Sequence, residues 1–162
     1  MLNILKQSIN INRYHKENER EEETRDFTSL ANPTILSILI LLFLGINVQS
    51  TVFVILVWSI EILGSVFKLV FFKPRPNAEK YTNWKEKIRA GAFPSLHTAR
   101  ATFVFSSLFF IFNNGSISNY IFLILIPIIA YTRLALRKHD IIDTLGGLIF
   151  GGIYTYLFIN YL

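Results

Sequence analysis

The sequence predicts an all-α protein, an integral membrane helical bundle of about five transmembrane helices. Hydrophobic residues make up 52% of its 162 residues, and its mean hydropathy of +0.42 is high for a soluble protein. The apolar residues are clustered: residues 35–44 form an apolar run with no polar face, which argues against an amphipathic surface helix. A helix needs roughly 20 mostly apolar residues to cross a bilayer, and several segments approach that length.

A charged tail and five apolar segments make up the chain. Residues 1–29 are rich in Glu, Lys and Arg, and their composition predicts a solvated helix or a partly disordered tail. The predicted transmembrane domain, residues 30–162, contains five apolar segments: 32–48, 51–72, 96–112, 118–136 and 141–162. A polar stretch with prolines, residues 73–95, separates the second segment from the third. Short uncharged turns at residues 45–50 and 113–118 join two other pairs of segments.

The basic residues are distributed unevenly across the predicted membrane. Alternation through the five segments places the tail and the 73–95 and 134–140 loops on one side, here called side A. All 16 Lys and Arg residues lie on side A or within about two helical turns of it. The chain has no cysteine, which excludes disulfides and thiolate chemistry. It shows no secretory signal peptide and no basic, aromatic stripe of the kind that binds nucleic acid.

Polar residues that could bind a ligand or take part in catalysis interrupt the apolar segments at three places, all on side A. These are Lys68 with Arg75 and Pro76; Pro94, Ser95 and His97; and Arg133, His139 and Asp143. Charged groups in or near lipid are costly, so such a cluster predicts a functional site. Because successive helices alternate in direction, the three groups are expected to meet at one face of the membrane.

The types of residue in this cluster suit a phosphate group. Lys68, Arg75 and Arg133 can surround a phosphate, and the two guanidiniums can bind it through paired hydrogen bonds. His139 and Asp143 are four residues apart at a predicted helix start, so they share a face. Asp143 can accept a hydrogen bond from one imidazole nitrogen and leave the other as a nucleophile.

Two more residues complete a set for phosphoryl transfer. His97 can protonate a leaving alkoxide or phosphate as a general acid. Ser95, at the start of a helix, can offer its hydroxyl and nearby backbone N–H groups to phosphate oxygens. Positioning and charge stabilisation supply most of the catalysis in such reactions.

The three groups resemble the signature of the type 2 phosphatidic acid phosphatase superfamily, membrane phosphatases whose core is related to vanadium haloperoxidases. The family's Lys-x6-Arg-Pro and Pro-Ser-x-His motifs are both present, in Lys68–Pro76 and Pro94–His97. Its Ser-Arg-x5-His-x3-Asp motif is met by Arg133, His139 and Asp143, with Thr132 in place of the usual Ser. Threonine keeps the hydroxyl. The resemblance covers roughly residues 50–150, and many members have six spans where this chain has about five.

The resemblance implies a role for each matched residue. His139 is the nucleophile that becomes phosphorylated, Asp143 is its partner and His97 is the general acid, with no metal ion and no cofactor required. The residues implied to bind phosphate are Lys68, Arg75, Ser95 and Arg133. The implied substrate is a membrane lipid phosphate monoester or a (poly)prenyl diphosphate. The resemblance also implies a multi-pass protein of the cell membrane.

Several other readings of the site are open. The same residues could transfer phosphate to an acceptor alcohol, which would make the protein a lipid phosphotransferase. A vanadium haloperoxidase uses a similar site, but the apolar segments argue against that activity. A non-catalytic membrane scaffold has no need of polar groups at these positions. The sequence carries no signal for an oligomeric state.

The orientation of side A follows from two opposed arguments. The positive-inside rule places it in the cytoplasm. Many members of the resembled family work on the outer or lumenal face, and several of the cations belong to the site, so they report topology poorly. We therefore favour an outward-facing site.

Charged residues outside the signature have predicted structural roles. The lysines and arginines at segment ends are expected to anchor in the headgroups: Lys73, Lys80, Lys85, Lys87, Arg89, Arg137 and Lys138. Glu61 lies within the second segment, as an ion-paired or a protonated carboxyl. Arg100 is expected to contact headgroups or to pair internally with Glu61 or Asp140. Gly147-x3-Gly151 predicts close helix packing, and residues 77–92 predict an interfacial amphipathic segment that gates lipid entry.

Overall fold

The computed structural model describes residues 31–76, 82–112 and 116–161. These residues form α1 (Pro33–Leu44), α2 (Val48–Val70), α3 (Trp84–Ala90), α4 (Leu96–Phe112), α5 (Tyr120–Ala135) and α6 (Ile141–Tyr161). A 3-10 turn, Ile117–Asn119, leads into α5. The described residues contain no β-strand, only an isolated antiparallel bridge between Pro74 and Gly91. The prediction of an all-α fold is confirmed.

Each of the five predicted apolar segments forms an apolar helix. Val48–Val70, Ile117–Ala135 and Ile141–Tyr161 are long and apolar enough to cross a membrane. The other two helices are shorter, with 12 residues in α1 and 17 in α4. At about 1.5 Å per residue, α1 is shorter than a full bilayer crossing, and α4 is at the lower end of the lengths that cross. The predicted tail, residues 1–29, lies outside the described residues.

Asparagine residues begin the first two helices. The Asn32 side chain accepts a hydrogen bond from the Thr34 backbone N–H at 2.9 Å. The Asn47 side chain and Ser50 form a reciprocal pair of hydrogen bonds of 2.8 and 3.0 Å, which is a capping box. α2 therefore starts at Val48, inside the predicted turn 45–50. Gly45, with a φ of 71°, ends α1 in a conformation that glycine adopts without strain.

α4 is the central helix of the bundle. It packs most extensively against α6 and α5, and it also contacts α2. Most of its side chains are buried, whereas α2, α5 and α6 expose large apolar side chains on their outer faces. At the core, the ring of Phe53 lies 5.0 Å from that of Phe103 and 4.6 Å from that of Phe158. The arrangement suits a bundle whose outer surface meets lipid.

Glycines allow α6 to approach α4 closely. A Cβ atom on Gly147 would lie 2.5 Å from the backbone oxygen of Ser95. A Cβ atom on Gly151 would collide with the backbone oxygen of Ala99. The prediction that Gly147-x3-Gly151 is a packing motif is confirmed, and this contact aligns the start of α4 with the start of α6.

A buried arginine links three parts of the bundle. Arg100, only 3% exposed, forms an ion pair with the Glu61 carboxylate of α2. Its Nε donates a hydrogen bond of 2.8 Å to the backbone oxygen of Ala31, just before α1. Of the predicted alternatives for Arg100, the internal pair with Glu61 is the one that forms.

Candidate active site

The first group of site residues lies where α2 ends. Lys68 is in the last turn of α2, and its side chain is buried. The chain then pairs with the segment that follows α3: the Arg75 N–H donates to the oxygen of Ala90 at 3.2 Å, and the Ala92 N–H donates to the oxygen of Lys73 at 2.7 Å. These two bonds hold the loop that carries Arg75 against the segment that leads to Ser95.

Gly91 has a structural role in this pairing. A Cβ atom on Gly91 would lie 3.2 Å from Cβ and 3.4 Å from Cγ of Lys68. Such contacts are tighter than ordinary van der Waals packing. The absence of a side chain at Gly91 therefore lets the Lys68 stem pass close to the backbone after α3.

The second group lies at the start of α4. Ser95 is fully buried, and its hydroxyl lies 3.0 Å from that of Thr98. The Ser95 backbone N–H donates to the backbone oxygen of Asp143 at 2.9 Å. We expected backbone N–H groups near Ser95 to face phosphate, but its own N–H is used to join α4 to α6. His97 follows in the first turn of α4 and is half-buried.

The third group lies in the loop between α5 and α6. Arg133, in the last turn of α5, is buried. Its backbone oxygen accepts hydrogen bonds from the N–H groups of Lys138 at 3.2 Å and His139 at 3.3 Å. Arg137, with a φ of 51°, adopts the left-handed conformation that turns the chain at this point. The loop thus folds back over the end of α5 and positions His139 beside Arg133.

Two aspartates begin α6 by capping each other. The Asp143 N–H donates to Asp140 Oδ1 at 2.9 Å, and the Asp140 N–H donates to Asp143 Oδ2 at 3.0 Å. His139 Nδ1 lies 3.8 Å from Asp143 Oδ2, so the two side chains face each other as predicted. That distance is too long for a hydrogen bond, and His139 lies before the helix begins at Ile141. Asp143 Oδ2 is instead bonded to the Asp140 N–H.

Lys73 contradicts the prediction that it anchors in the headgroups. Its Nζ lies 2.5 Å from Asp140 Oδ2 and 2.7 Å from Asp143 Oδ1, and it donates a hydrogen bond to each. The Lys73 side chain is 36% exposed, and that of Asp143 is fully buried. A buried carboxylate needs a cation or several donors to stay charged, and Lys73 supplies the cation. Lys73 lies between Lys68 and Arg75 in the chain, but the sequence does not show that its partners are Asp140 and Asp143.

For the other predicted anchors, contact with lipid headgroups stays a prediction. Lys85, Arg89 and Arg137 are exposed, and the Lys87 ammonium lies 5.3 Å from the centre of the Phe72 ring. The predicted amphipathic segment, residues 77–92, is helical only over α3, and residues 77–81 lie outside the described residues.

Positive charge dominates the surroundings of both histidines. His139 is buried, and burial is the main cause that lowers its pKa to about 4. The facing carboxylate of Asp143 opposes this change, while the charges of Lys68, Arg133 and Arg75 add to it. The positive charges of Arg133, Lys68 and Arg75 also interact electrostatically with His97. The structure therefore brings the three sequence groups together at one end of the bundle.

The charges of the candidate site favour the binding of an anion. Among the described residues, no group of three or more His, Asp or Glu side chains is placed to hold a metal ion. Lys68, Arg75 and Arg133 supply positive charge, and a neutral imidazole lies among them. Cations of this kind bind phosphate oxygens strongly in a site shielded from water. A phosphate group beside a neutral imidazole nitrogen is the chemistry that such an arrangement suits.

Comparison with known protein families agrees with the resemblance found in the sequence. The family model of the PAP2 superfamily, the type 2 phosphatidic acid phosphatases, matches residues 49–162, which include all three groups of site residues. Neither a search of curated proteins nor a search of solved structures gives a match. The matched residues cover the greater part of the chain, from α2 to α6. The chain belongs to the PAP2 superfamily.

Proposed function

We propose that this protein is a metal-independent membrane phosphatase that hydrolyses a lipid phosphate monoester or a (poly)prenyl diphosphate through a phosphohistidine on His139. The observation that supports this function most strongly is the convergence of Lys68, Arg75 and Arg133 on a buried imidazole. Membership of the PAP2 superfamily and the long apolar helices support a phosphatase in a membrane.

In the first step His139 attacks phosphorus. Its Nδ1 faces Asp143, so the lone pair that attacks belongs to Nε2. An N–P bond forms as the bond from phosphorus to the leaving oxygen breaks. His97, which is protonated once the anionic phosphate offsets the surrounding cations, gives its proton to that oxygen. The positive charges of Lys68, Arg75 and Arg133 stabilise the charge on the phosphoryl oxygens. Ser95, at the start of α4, adds a hydroxyl donor.

In the second step water hydrolyses the phosphohistidine. His97, now neutral, takes a proton from the water as its oxygen attacks phosphorus, and the N–P bond breaks. Inorganic phosphate leaves, and both histidines return to their starting states. Asp143 stabilises the imidazolium character that His139 acquires while it carries the phosphoryl group.

The substrate is an amphiphile. The site lies at the ends of apolar helices, where a phosphate at headgroup depth can enter while its tail remains in lipid. Phosphatidic acid, phosphatidylglycerol phosphate and polyprenyl diphosphates all share this chemistry. If an alcohol replaced water in the second step, the same residues would make a lipid phosphotransferase.

Phosphate release by the detergent-purified protein tests this function. The panel contains phosphatidic acid and a polyprenyl diphosphate, each with and without EDTA. We expect EDTA-resistant release by the wild type and a loss of about a thousandfold or more in His139→Ala. A matched control, Lys85→Met, changes an exposed lysine outside the site and keeps the activity. Release that EDTA abolishes, or that survives in His139→Ala, would overturn the proposal.

A further inference from the structure

Lys73 occupies a central place in the site although it belongs to none of the three sequence groups. Its Nζ lies between two carboxylates of α6, at 2.5 Å from Asp140 and 2.7 Å from Asp143. Its backbone oxygen accepts a hydrogen bond of 2.7 Å from Ala92, three residues before Ser95. This one residue therefore connects the loop after α2, the segment before α4 and the start of α6.

The Asp143 carboxylate is held on both sides. Oδ1 accepts the hydrogen bond from Lys73, and Oδ2 accepts the one from the Asp140 N–H. Since Asp143 is fully buried, water cannot replace either donor. Rotation of the carboxylate toward His139 would break one of these bonds. His139 Nδ1 consequently remains 3.8 Å away from Oδ2.

We infer that Lys73 is a positioning residue, whose ammonium holds the Asp143 carboxylate and balances the negative charge that faces His139. The inference rests on the proposed function, in which His139 must present a neutral nitrogen. Burial opposes the ammonium form of Lys73, but its hydrogen bonds and charge attraction to Asp140 and Asp143 prevail and raise its pKa. Lys73 therefore stays charged throughout the pH range in which a phosphatase works.

The charges that face His139 decide what the loss of Lys73 would do. The Asp143 carboxylate faces the imidazole directly, and Asp140 follows His139 in the chain. Both carboxylates are negative. Lys68, Arg75 and Arg133 are positive, and His97 lies in the same field. Without the Lys73 ammonium, the two carboxylates lose their shared cation and act more strongly on His139. The imidazolium form then becomes more favourable.

The test is an NMR titration of the imidazole nitrogens in detergent-solubilised protein labelled with 15N-histidine. The chain has only three histidines, and the signal of His139 is assigned by its loss in His139→Gln. We expect the pKa of His139 to rise by about one pH unit or more in Lys73→Met. Without the ammonium, the facing Asp143 carboxylate is no longer balanced, and an opposite charge within about 4–6 Å raises the pKa of an imidazole by that order. Lys73→Gln keeps a hydrogen-bond donor without the charge and should show a similar rise if Lys73→Met does not fold.

Two control variants separate positioning by charge from a purely structural role. Lys73→Arg keeps the charge, and its His139 should titrate within a few tenths of a pH unit of the wild type. Lys85→Met removes an exposed lysine from α3 and should leave the titration unchanged. A wild-type titration in both neutral variants, or an equal rise in Lys73→Arg, would overturn the inference.

The titration needs no substrate, so its outcome is independent of the phosphatase assay. If no lipid is hydrolysed, the proposed function fails while the titration still decides the role of Lys73. If lipid is hydrolysed, we also expect kcat to fall by tenfold or more in Lys73→Met, about 1.4 kcal/mol, with KM nearly unchanged. Lys73→Arg should recover most of that loss.

Discussion

At the scale of single residues, the proposed reaction depends on the charge state of His139. A buried imidazole surrounded by Lys68, Arg75 and Arg133 avoids a further positive charge, and its pKa falls to about 4. A neutral imidazole has a free lone pair and is therefore a nucleophile at neutral pH. In the proposed reaction, the same cations attract the phosphate that the imidazole attacks. Substrate binding and activation of the nucleophile would then share one electrostatic cause.

This charge state predicts how stability responds to pH. His139 has a lower pKa in the folded chain than its ordinary 6.5, so the unfolded chain binds more protons between those two values. The contribution of His139 to the free energy of unfolding should therefore fall as the pH drops from about 6.5 to about 4, and then level off. Chemical unfolding in detergent, followed across this range, measures the effect. His139→Gln should show a shallower fall, and an equal fall in the variant would contradict the predicted pKa.

The residues of the site differ in how far the sequence could predict them. His97, His139 and Asp143 interrupt apolar segments at motif spacings, so their place in one cluster was predictable. Lys73 was not, because a lysine near a span end usually anchors in the headgroups. Its partner Asp143 lies 70 residues away in the chain. The distance between His139 and Asp143 depends on those competing bonds, which the spacing alone does not show.

At the scale of helices, close packing of α6 on α4 aligns the second and third groups of site residues. Gly147 lies against the backbone of Ser95, and the Ser95 N–H bonds the backbone oxygen of Asp143. A side chain at Gly147 would push these two helix starts apart. The geometry of the site thus depends on a residue with no chemical function.

Gly147→Ala tests this packing. Its Cβ would lie 2.5 Å from the Ser95 oxygen, so the helices must separate, at a cost of about 1–3 kcal/mol. We expect a lower unfolding temperature in detergent and a loss of phosphate release. Gly152→Ala is the matched control, because nothing lies within 4 Å of a Cβ there and alanine favours helix by about 1 kcal/mol. Equal unfolding temperatures in the two variants would contradict the role of Gly147.

The helices themselves were largely predictable, while the links between them were not. Apolar runs predicted all five apolar helices, with end points within a few residues of those observed. The bridge between Pro74 and Gly91 has no counterpart in the hydrophobic pattern. The left-handed Arg137 is equally unexpected, because glycine or asparagine usually takes that conformation. The bridge is a tertiary contact, whereas the Arg137 conformation accompanies the local hydrogen bonds from Lys138 and His139 to the Arg133 oxygen.

At the scale of the whole molecule, the bundle places its charge at one end. The site, α3 and the loop between α5 and α6 lie there, and the turn before α5 lies at the other end. The proposed site includes Lys68, Lys73, Arg75 and Arg133, so these cations say little about topology. We therefore keep the prediction that the charged end faces outward.

Labelling of single cysteines in intact cells tests the orientation. The chain has no cysteine of its own, so Lys85→Cys and Ser116→Cys each provide one exposed thiol, at opposite ends of the bundle. We expect a membrane-impermeant maleimide to label Lys85→Cys directly and Ser116→Cys only after permeabilisation. The reverse pattern would place the site in the cytoplasm, in agreement with the positive-inside rule.

The most direct test of the central claim is to trap the phosphorylated enzyme. Detergent-purified protein is mixed with a lipid substrate carrying 32P in its terminal phosphate, quenched in alkaline detergent within one turnover, and digested for peptide mapping. We predict a label that is stable to base and labile to acid, located on His139, and absent from His139→Ala. A label on another residue, or continued hydrolysis by His139→Ala, would contradict the account.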